Sequence, residues 1–254
     1  MTFNTLRSAD GTALSYDDQG DGPSVVLLHG YAANAFVNWV RPGIAGALAG
    51  AGYRVLALDL RGHGRSEAPH QVDAYAPGRL VEDAAGLLDQ AGVPGAVVGG
   101  YSLGARLGLL VAAADPRVRA LVLGGVGEAT LTGTDAAAAE AVAAAMEARR
   151  LADVEDRTGR AFRAFADATH SDRSALACLQ RALPSWPAPT PGEVGVPCLV
   201  VAGSEDTLAG RPEPLAQPME EGRAVTVPGN HMNAMLGPAF ARAVLDFLGG
   251  LRPW

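Results

Sequence analysis

The chain has 254 residues, of which 48% are hydrophobic and 19% are charged. This length fits one large domain or two small ones, and the composition supports a substantial core and argues against disorder. The net charge of -7 argues against a nucleic acid or an anionic membrane as a partner, because both need a basic surface. All 20 basic residues are arginine, which rules out chemistry that uses a lysine amine.

The predicted elements alternate between short apolar runs and stretches rich in alanine and leucine. A hairpin is expected first, with strands at 5–6 and 14–16. Further strands are predicted at 25–28, 54–58, 96–99, 120–123, 198–201 and 224–227. Helices are predicted at 45–51, 77–91, 105–114 and 238–248. Several strands are apolar throughout, which is typical of parallel strands covered on both faces. The pattern predicts an α/β fold with a mainly parallel central sheet flanked by helices.

Residues 128–195 interrupt this alternation. Three helical stretches follow one another there, and a proline-rich linker then leads back to the sheet. The segment is too long for a loop without structure. We expect a helical cap over the strand ends, inserted in a core formed by residues 1–127 and 196–254. The alternative is an ordinary set of crossover helices packed on the sheet.

The pentapeptide Gly100–Gly104 places Ser102 on a tight turn between a predicted strand and a helix. A glycine on either side allows a strained backbone that projects the serine hydroxyl into open space. A serine hydroxyl is a poor nucleophile near neutral pH, so this arrangement requires a base nearby. Polar residues also follow three other strands, namely His29, Asp206 and His231. Ligands bind at the carboxyl ends of the strands in open α/β sheets, so these side chains are expected to converge.

The chain resembles the α/β-hydrolase-fold serine hydrolases that carry a helical cap. The motifs that carry the resemblance are residues 29–31, 59–66, 100–104, 203–206 and 229–231. The resemblance covers essentially the whole chain, and its motifs are specific for the fold but poor guides to the substrate. It implies the catalytic order nucleophile, acid, base, which corresponds here to Ser102, Asp206 and His231. Glu205 and Glu128 are alternative acids, since some relatives carry the acid after the strand that precedes Glu128.

Two backbone N–H groups are expected to form an oxyanion hole. One belongs to Leu103, at the start of the helix after Ser102, and the resemblance places the other on Tyr31. His29 and His63 are interpreted as structural residues that shape the neighbouring turns. The candidates for an apolar substrate pocket are His29, Phe36 and Trp39, although such aromatic residues are equally common in cores.

The resemblance implies hydrolysis of a carboxylic ester or lactone through an acyl-enzyme, with no metal or organic cofactor and a small molecule as substrate. Haloalkane dehalogenases and epoxide hydrolases of this fold carry aspartate at the nucleophile elbow, so Ser102 indicates acyl chemistry. The alternatives are a carbon–carbon bond hydrolase acting on a diketone, an acyltransferase or a perhydrolase. A catalytically inactive binding protein of the same fold is a further alternative.

Two further expectations concern location and thiols. Residues 1–4 lack the charged and then apolar pattern of a signal peptide, and no apolar run approaches the roughly 18 residues of a membrane span. A cytoplasmic location is therefore expected. Cys178 and Cys198 do not have the spacing of metal ligands, and Cys198 lies in an apolar run, which favours a buried, unreactive thiol.

Overall fold

The computed structural model describes residues 2–252, in which eight strands form one sheet. The strands are β1 (Thr2–Arg7), β2 (Ala13–Gln19), β3 (Ser24–Leu28), β4 (Arg54–Asp59), β5 (Ala96–Tyr101), β6 (Val118–Gly124), β7 (Cys198–Gly203) and β8 (Gly222–Val227). Their order across the sheet is β1-β2-β4-β3-β5-β6-β7-β8. β2 pairs antiparallel with both β1 and β4, and all other neighbouring strands are parallel. The mainly parallel sheet predicted from the sequence is therefore confirmed.

The helices flank this sheet and cross over between its strands. They are α1 (Ile44–Gly50), α2 (Pro77–Gln90), α3 (Leu103–Ala114), α4 (Ala136–Glu147), α5 (Arg157–Ala168), α6 (Arg173–Ala182), α7 (Glu213–Ala216) and α8 (Pro238–Gly249). Within residues 2–252, none of these helices combines the length and the apolar character that crossing a membrane requires. Both cysteines are free, and burial raises the pKa of the Cys198 thiol to about 12.

Two hydrophobic cores cover the two faces of the sheet. Successive side chains of a strand point to opposite faces, so a buried parallel strand contributes to both cores. On β3, Val26 and Leu28 belong to the core that includes α2 and α3, whereas Val25 and Leu27 belong to the core that includes α1 and α8. This burial on both faces explains why the central strands are apolar throughout.

Residues 128–195 leave the sheet after β6, form α4, α5 and α6, and return at β7. Each of these helices begins at an aspartate whose side chain accepts an N–H of the first turn, namely Asp135, Asp156 and Asp172. Hydrogen bonds join the helical segment to the turn after β3. The Tyr31 hydroxyl donates to the Leu176 carbonyl at 3.1 Å, and Thr169 Oγ1 lies 2.9 Å from the Ala32 carbonyl oxygen. The helices thus contact the carboxyl end of β3, while their role as a cap stays a prediction.

A buried arginine joins the loop after β4 to three other parts of the core. The Arg61 side chain is fully buried and makes two hydrogen bonds to the Asp83 carboxylate on α2, at 2.6 and 2.7 Å. It also donates to Asp10 at 2.8 Å, in the turn between β1 and β2, and to the Ala74 carbonyl. The Arg61 guanidinium holds the pKa of Asp10 well below its usual range. Since the same loop is hydrogen-bonded to the turn after β3 through Leu60 and His63, this ion pair supports that turn as well as the core.

We expect Asp83→Ala to lower the free energy of unfolding by about 3–5 kcal/mol, because it leaves a buried guanidinium without its main carboxylate. Asp10→Ala is the matched control. Its side chain is 22% exposed, so water can replace it and the loss should be on the order of 1 kcal/mol. Urea unfolding of both variants measures the difference, and equal losses would contradict this account of the loop.

Candidate active site

Ser102 occupies a strained turn between β5 and α3. Its φ of 53° and ψ of -109° lie in a region that residues other than glycine rarely adopt. The turn is possible because α3 approaches the sheet closely: a Cβ on Gly100 would collide with the main chain of Gly104, and a Cβ on Gly104 would collide with the carbonyl of Leu28. The Ser102 N–H donates to the Gly124 carbonyl of β6 at 2.7 Å. The hydroxyl is thereby placed at the carboxyl edge of the sheet.

His231 and Asp206 complete a chain of hydrogen bonds that begins at this hydroxyl. His231 Nε2 lies 2.9 Å from Ser102 Oγ, and His231 Nδ1 lies 2.9 Å from Asp206 Oδ2. An ionised carboxylate only accepts hydrogen bonds, so Nδ1 carries the proton and the lone pair of Nε2 faces the serine hydroxyl. The Asp206 side chain is fully buried, and its Oδ1 also accepts the N–H groups of Leu208 and Ala209. Asp206 therefore fixes both the tautomer and the orientation of the imidazole.

The structure separates Asp206 from the other two acidic candidates. The Glu128 carboxylate pairs with Arg211 at 2.9 Å and is 40% exposed. Glu205 is exposed, and its backbone N–H donates to the Gly229 carbonyl. Of the three acidic side chains, only Asp206 is hydrogen-bonded to His231.

The backbone N–H groups of Leu103 and Tyr31, predicted as oxyanion donors, belong to the turns that follow β5 and β3. Leu103 is the first residue of α3, so its N–H has no acceptor within the helix and lies at the positive end of the helix dipole. Tyr31 follows Gly30, whose N–H donates to Asn38 Oδ1 at 2.8 Å. Among the described residues, neither Leu103 nor Tyr31 has a hydrogen-bond acceptor for its N–H.

Two buried histidines hold the turn that carries Tyr31. His29 Nε2 accepts the Leu60 N–H at 3.0 Å, so its other ring nitrogen donates to the Gly30 carbonyl. His63 Nε2 accepts the Ala32 N–H at 3.2 Å, and its Nδ1 donates to the Arg61 carbonyl. Both rings are therefore neutral. Burial lowers the pKa of His29 to about 4, and burial together with the neighbouring His29 ring lowers the pKa of His63 to about 3.

A small cavity of about 30 Å³ lies over Ser102. It has room for about two water molecules. The residues that line it are Gly30, Tyr31, Ala33, Asn38, Tyr101, Ser102, Phe162, Phe165, His231, Met232 and Met235.

The three pocket candidates named from the sequence do not line this cavity. His29 is fully buried by its bonds to the backbone, and Trp39 is 2% exposed because a π-helical turn directs it into the core near α1. Phe36 is 49% exposed and borders a separate groove. The expectation that these residues surround the substrate is corrected on this point.

Sequence reasoning missed several residues that line the cavity. Tyr101 directly precedes Ser102, and its hydroxyl donates to the His231 carbonyl at 2.8 Å, which anchors the loop of the imidazole. Burial raises the pKa of this phenol, and the nearby Asp206 adds to the shift. The adjacency of Tyr101 and Met232 to Ser102 and His231 was a usable signal. For Phe162 and Phe165, the only indication in the sequence was their spacing of three residues on α5.

Within residues 2–252, no group of three or more histidine, cysteine, aspartate or glutamate side chains is arranged to hold a metal ion. The hydrogen-bonded arrangement of Ser102, His231 and Asp206 can activate a serine oxygen as a nucleophile. A strained serine between strand and helix, bonded to a histidine and an aspartate from later loops, is the type of site found in α/β hydrolases.

Comparison with known proteins agrees with this class. A sequence model of the family described as alpha/beta hydrolase fold matches residues 23–207. Because this match covers most of the chain, the protein belongs to the α/β hydrolase fold family.

Individual relatives differ in their activities. An epoxide hydrolase of Caballeronia sordidicola is 39% identical over 117 residues, which are 41% of this chain and 35% of that protein. The enol-lactonase of Burkholderia xenovorans LB400 superposes with a TM-score of 0.78 and 25% identity, over 97% of this chain and 100% of that one. The bottromycin epimerase BotH superposes with a TM-score of 0.81 and 26% identity, over 99% of this chain and 100% of that one. The match thus spans about a third of the length of the curated epoxide hydrolase.

The neutral histidines make stability depend on pH. Their pKa values are lower in the folded protein than the usual 6.5, so their contribution is present above pH 6.5 and is lost as the pH falls towards 4. At pH 5, each of the two histidines should lower the free energy of unfolding by about 2 kcal/mol relative to its value at pH 7. Asp59 opposes the shift of His63, but burial outweighs it.

The variant His63→Gln tests this, because a glutamine amide can replace both hydrogen bonds and does not titrate. The loss of unfolding free energy between pH 7 and pH 5, measured by urea titration, should be smaller in the variant by about 2 kcal/mol. An unchanged loss would show that His63 is not held neutral by its surroundings.

Proposed function

We propose that the protein is a serine hydrolase that cleaves a carboxylic ester or a lactone through an acyl-enzyme. The observation that carries the proposal is the continuous hydrogen-bonded chain from Ser102 Oγ through His231 to the buried Asp206 carboxylate. In this proposal, residues 128–195 act as the cap of the site. A cytoplasmic location and the lack of a nucleic-acid partner remain predictions.

The first half of the reaction forms the acyl-enzyme. His231 Nε2 takes the hydroxyl proton while Ser102 Oγ attacks the carbonyl carbon, and the carbonyl electron pair moves to the oxygen. The carbonyl then reforms, the bond to the leaving alcohol breaks, and the imidazolium gives its proton to that alcohol oxygen. Asp206 stabilises the imidazolium between these two transfers. In a lactone, the leaving oxygen stays attached to the acyl group.

The second half releases the acid. A water molecule gives a proton to His231 Nε2 and attacks the ester carbon, and Ser102 leaves with that proton. The oxyanion of both tetrahedral intermediates is stabilised by the N–H groups of Leu103 and Tyr31. Losing one such donor typically raises the barrier by about 2.7–4 kcal/mol. His29 donates to the Gly30 carbonyl, and the Gly30 and Ala32 N–H groups donate to Asn38 and His63. In this proposal, these three hydrogen bonds keep the Tyr31 donor in place.

The identity of the nucleophile favours acyl substrates over epoxides. A serine oxygen that opened an epoxide would form an ether. An ether has no carbonyl carbon that a water molecule activated by His231 could attack. A serine ester has such a carbonyl and can be hydrolysed by the same histidine. The resemblance to an epoxide hydrolase therefore supports the fold, whereas Ser102 supports ester or lactone cleavage.

Modification by a fluorophosphonate tests the nucleophile. We expect the intact protein to gain one covalent adduct by mass spectrometry and Ser102→Ala to gain none, because only an activated serine reacts quickly. Ser102→Ala and His231→Ala should each lower kcat on p-nitrophenyl acetate by about 10⁴-fold or more, and the double variant should be little worse, because the group acts as a unit. Additive losses, or an adduct on Ser102→Ala, would refute the assignment.

The acid is tested by a matched pair of amide variants. Asp206→Asn should lower kcat by about 10⁴-fold, because an amide no longer fixes the required tautomer of His231. Its thermal unfolding should change little, since the amide oxygen can still accept the N–H groups of the loop. Glu128→Gln should retain wild-type kcat. If Glu128→Gln loses activity and Asp206→Asn does not, the acid is misassigned.

A further inference from the structure

Two aromatic side chains of α5 close the space above Ser102. Phe162 and Phe165 are three residues apart, which places them on the same face of the helix, and both line the cavity. The volume of about 30 Å³ holds only about two non-hydrogen atoms of a substrate. Typical ligand pockets are about ten times larger or more.

The helix α5, which carries Phe162 and Phe165, contacts the turn that contains Tyr31. Phe162 packs edge to face on Tyr31, with ring centroids 5.4 Å apart. The Tyr31 hydroxyl is bonded to α6 through Leu176, and Thr169 at the end of α5 contacts the Ala32 carbonyl. Raising α5 would break these contacts and disturb the proposed oxyanion hole. The cavity is therefore small whenever the contacts between α5 and the Tyr31 turn are formed.

His231 and the neighbouring Met232 form a part of the cavity wall that solvent reaches. The His231 side chain is 11% exposed, and Met232 is 42% exposed. In the proposed reaction the leaving alcohol must contact His231 to receive its proton, which assigns the alcohol to this part of the cavity and leaves the part beside Phe162 and Phe165 for the acyl chain. None of the described residues that line the cavity is an aspartate, glutamate or arginine, and burying a charge without a partner is costly.

We propose that Phe162 and Phe165 restrict the substrate to short, uncharged acyl groups of about two to three carbons, while the alcohol part can be large. This inference rests on the proposed acyl-enzyme chemistry. Phe162 and Phe165 contact the acyl chain and set its length, and they take no part in proton transfer.

The experiment compares kcat/KM for p-nitrophenyl acetate, butyrate and hexanoate. A hexanoyl chain exceeds the three-carbon limit by three methylenes, and each methylene that does not fit costs about 10-fold or more, so the wild type should prefer acetate over hexanoate by about 1,000-fold or more. Phe165→Ala and Phe162→Ala should reduce this ratio about 10-fold, mainly by raising the rate on hexanoate. Phe36→Ala is the matched control, because Phe36 is an exposed aromatic residue outside the cavity, and its ratio should equal that of the wild type.

The conservative variants Phe165→Leu and Phe162→Leu guard against loss of folding, and they should shift the ratio in the same direction. A second series keeps the acetyl group and lengthens the alcohol from methyl to hexyl, and kcat/KM should vary less than about 5-fold. An equal wild-type rate on acetate and hexanoate, or variants that leave the ratio unchanged, would overturn the proposal.

Covalent modification separates this proposal from the proposed function. Methanesulfonyl fluoride should sulfonylate Ser102 of the wild type with release of fluoride, whereas the bulkier phenylmethanesulfonyl fluoride should react well only with Phe165→Ala. If both reagents modify the wild type at equal rates, the size limit is wrong and the nucleophile assignment stands. If neither reagent modifies Ser102 and no ester is cleaved, the proposed function fails and the size limit fails with it.

Discussion

The close approach of α3 to the sheet is the constraint on which the site depends. It forces Ser102 into a left-handed backbone conformation that costs about 1–3 kcal/mol and is tolerated only because Gly100 and Gly104 carry no side chain. The cost is offset by the burial of α3 against β3 and β5 and by the bond from the Ser102 N–H to β6. The same approach directs the hydroxyl away from the sheet and aligns the first N–H of the helix beside it.

The proposed second oxyanion donor, the Tyr31 N–H, depends on a different part of the fold, and residues far from Tyr31 support it. Tyr31 belongs to the turn after β3, and that turn is held by two neutral histidines and by Asn38. The histidines in turn bind the loop after β4, which is held in place by the buried pair of Arg61 and Asp83. The arrangement around Tyr31 is therefore the end of a chain of buried polar contacts that begins in the core. Each of these polar side chains can be buried only because the next one in the chain satisfies its hydrogen bonds.

Much of this site could be predicted from sequence because its parts are local. Ser102, Asp206 and His231 each follow a recognisable strand, and parallel strands bring their carboxyl ends to one edge. Phe36 and Trp39 were misplaced because nearness to Tyr31 along the chain does not determine where side chains point after a π-helical turn. Phe162 and Phe165 could not be found, because their position over Ser102 follows from the packing of α5 on a turn about 130 residues earlier. Such long-range packing leaves no periodic signal in the sequence.

The fold and the reaction are decided by separate parts of the molecule. The match to the family extends over residues 23–207, which include β3 to β7, and the chain is also similar in sequence or structure to proteins whose stated activities differ. The chemistry available to such a scaffold depends on one atom at the elbow, since a serine ester can be hydrolysed and a serine ether cannot. In our proposal, the range of substrates depends on α5, because its Phe162 and Phe165 line the space at that atom. Changes in α5 are then expected to alter the accepted acyl group without altering the sheet, because this helix contacts the turn after β3 at Tyr31 and Ala32 and reaches the cavity through these two aromatic side chains.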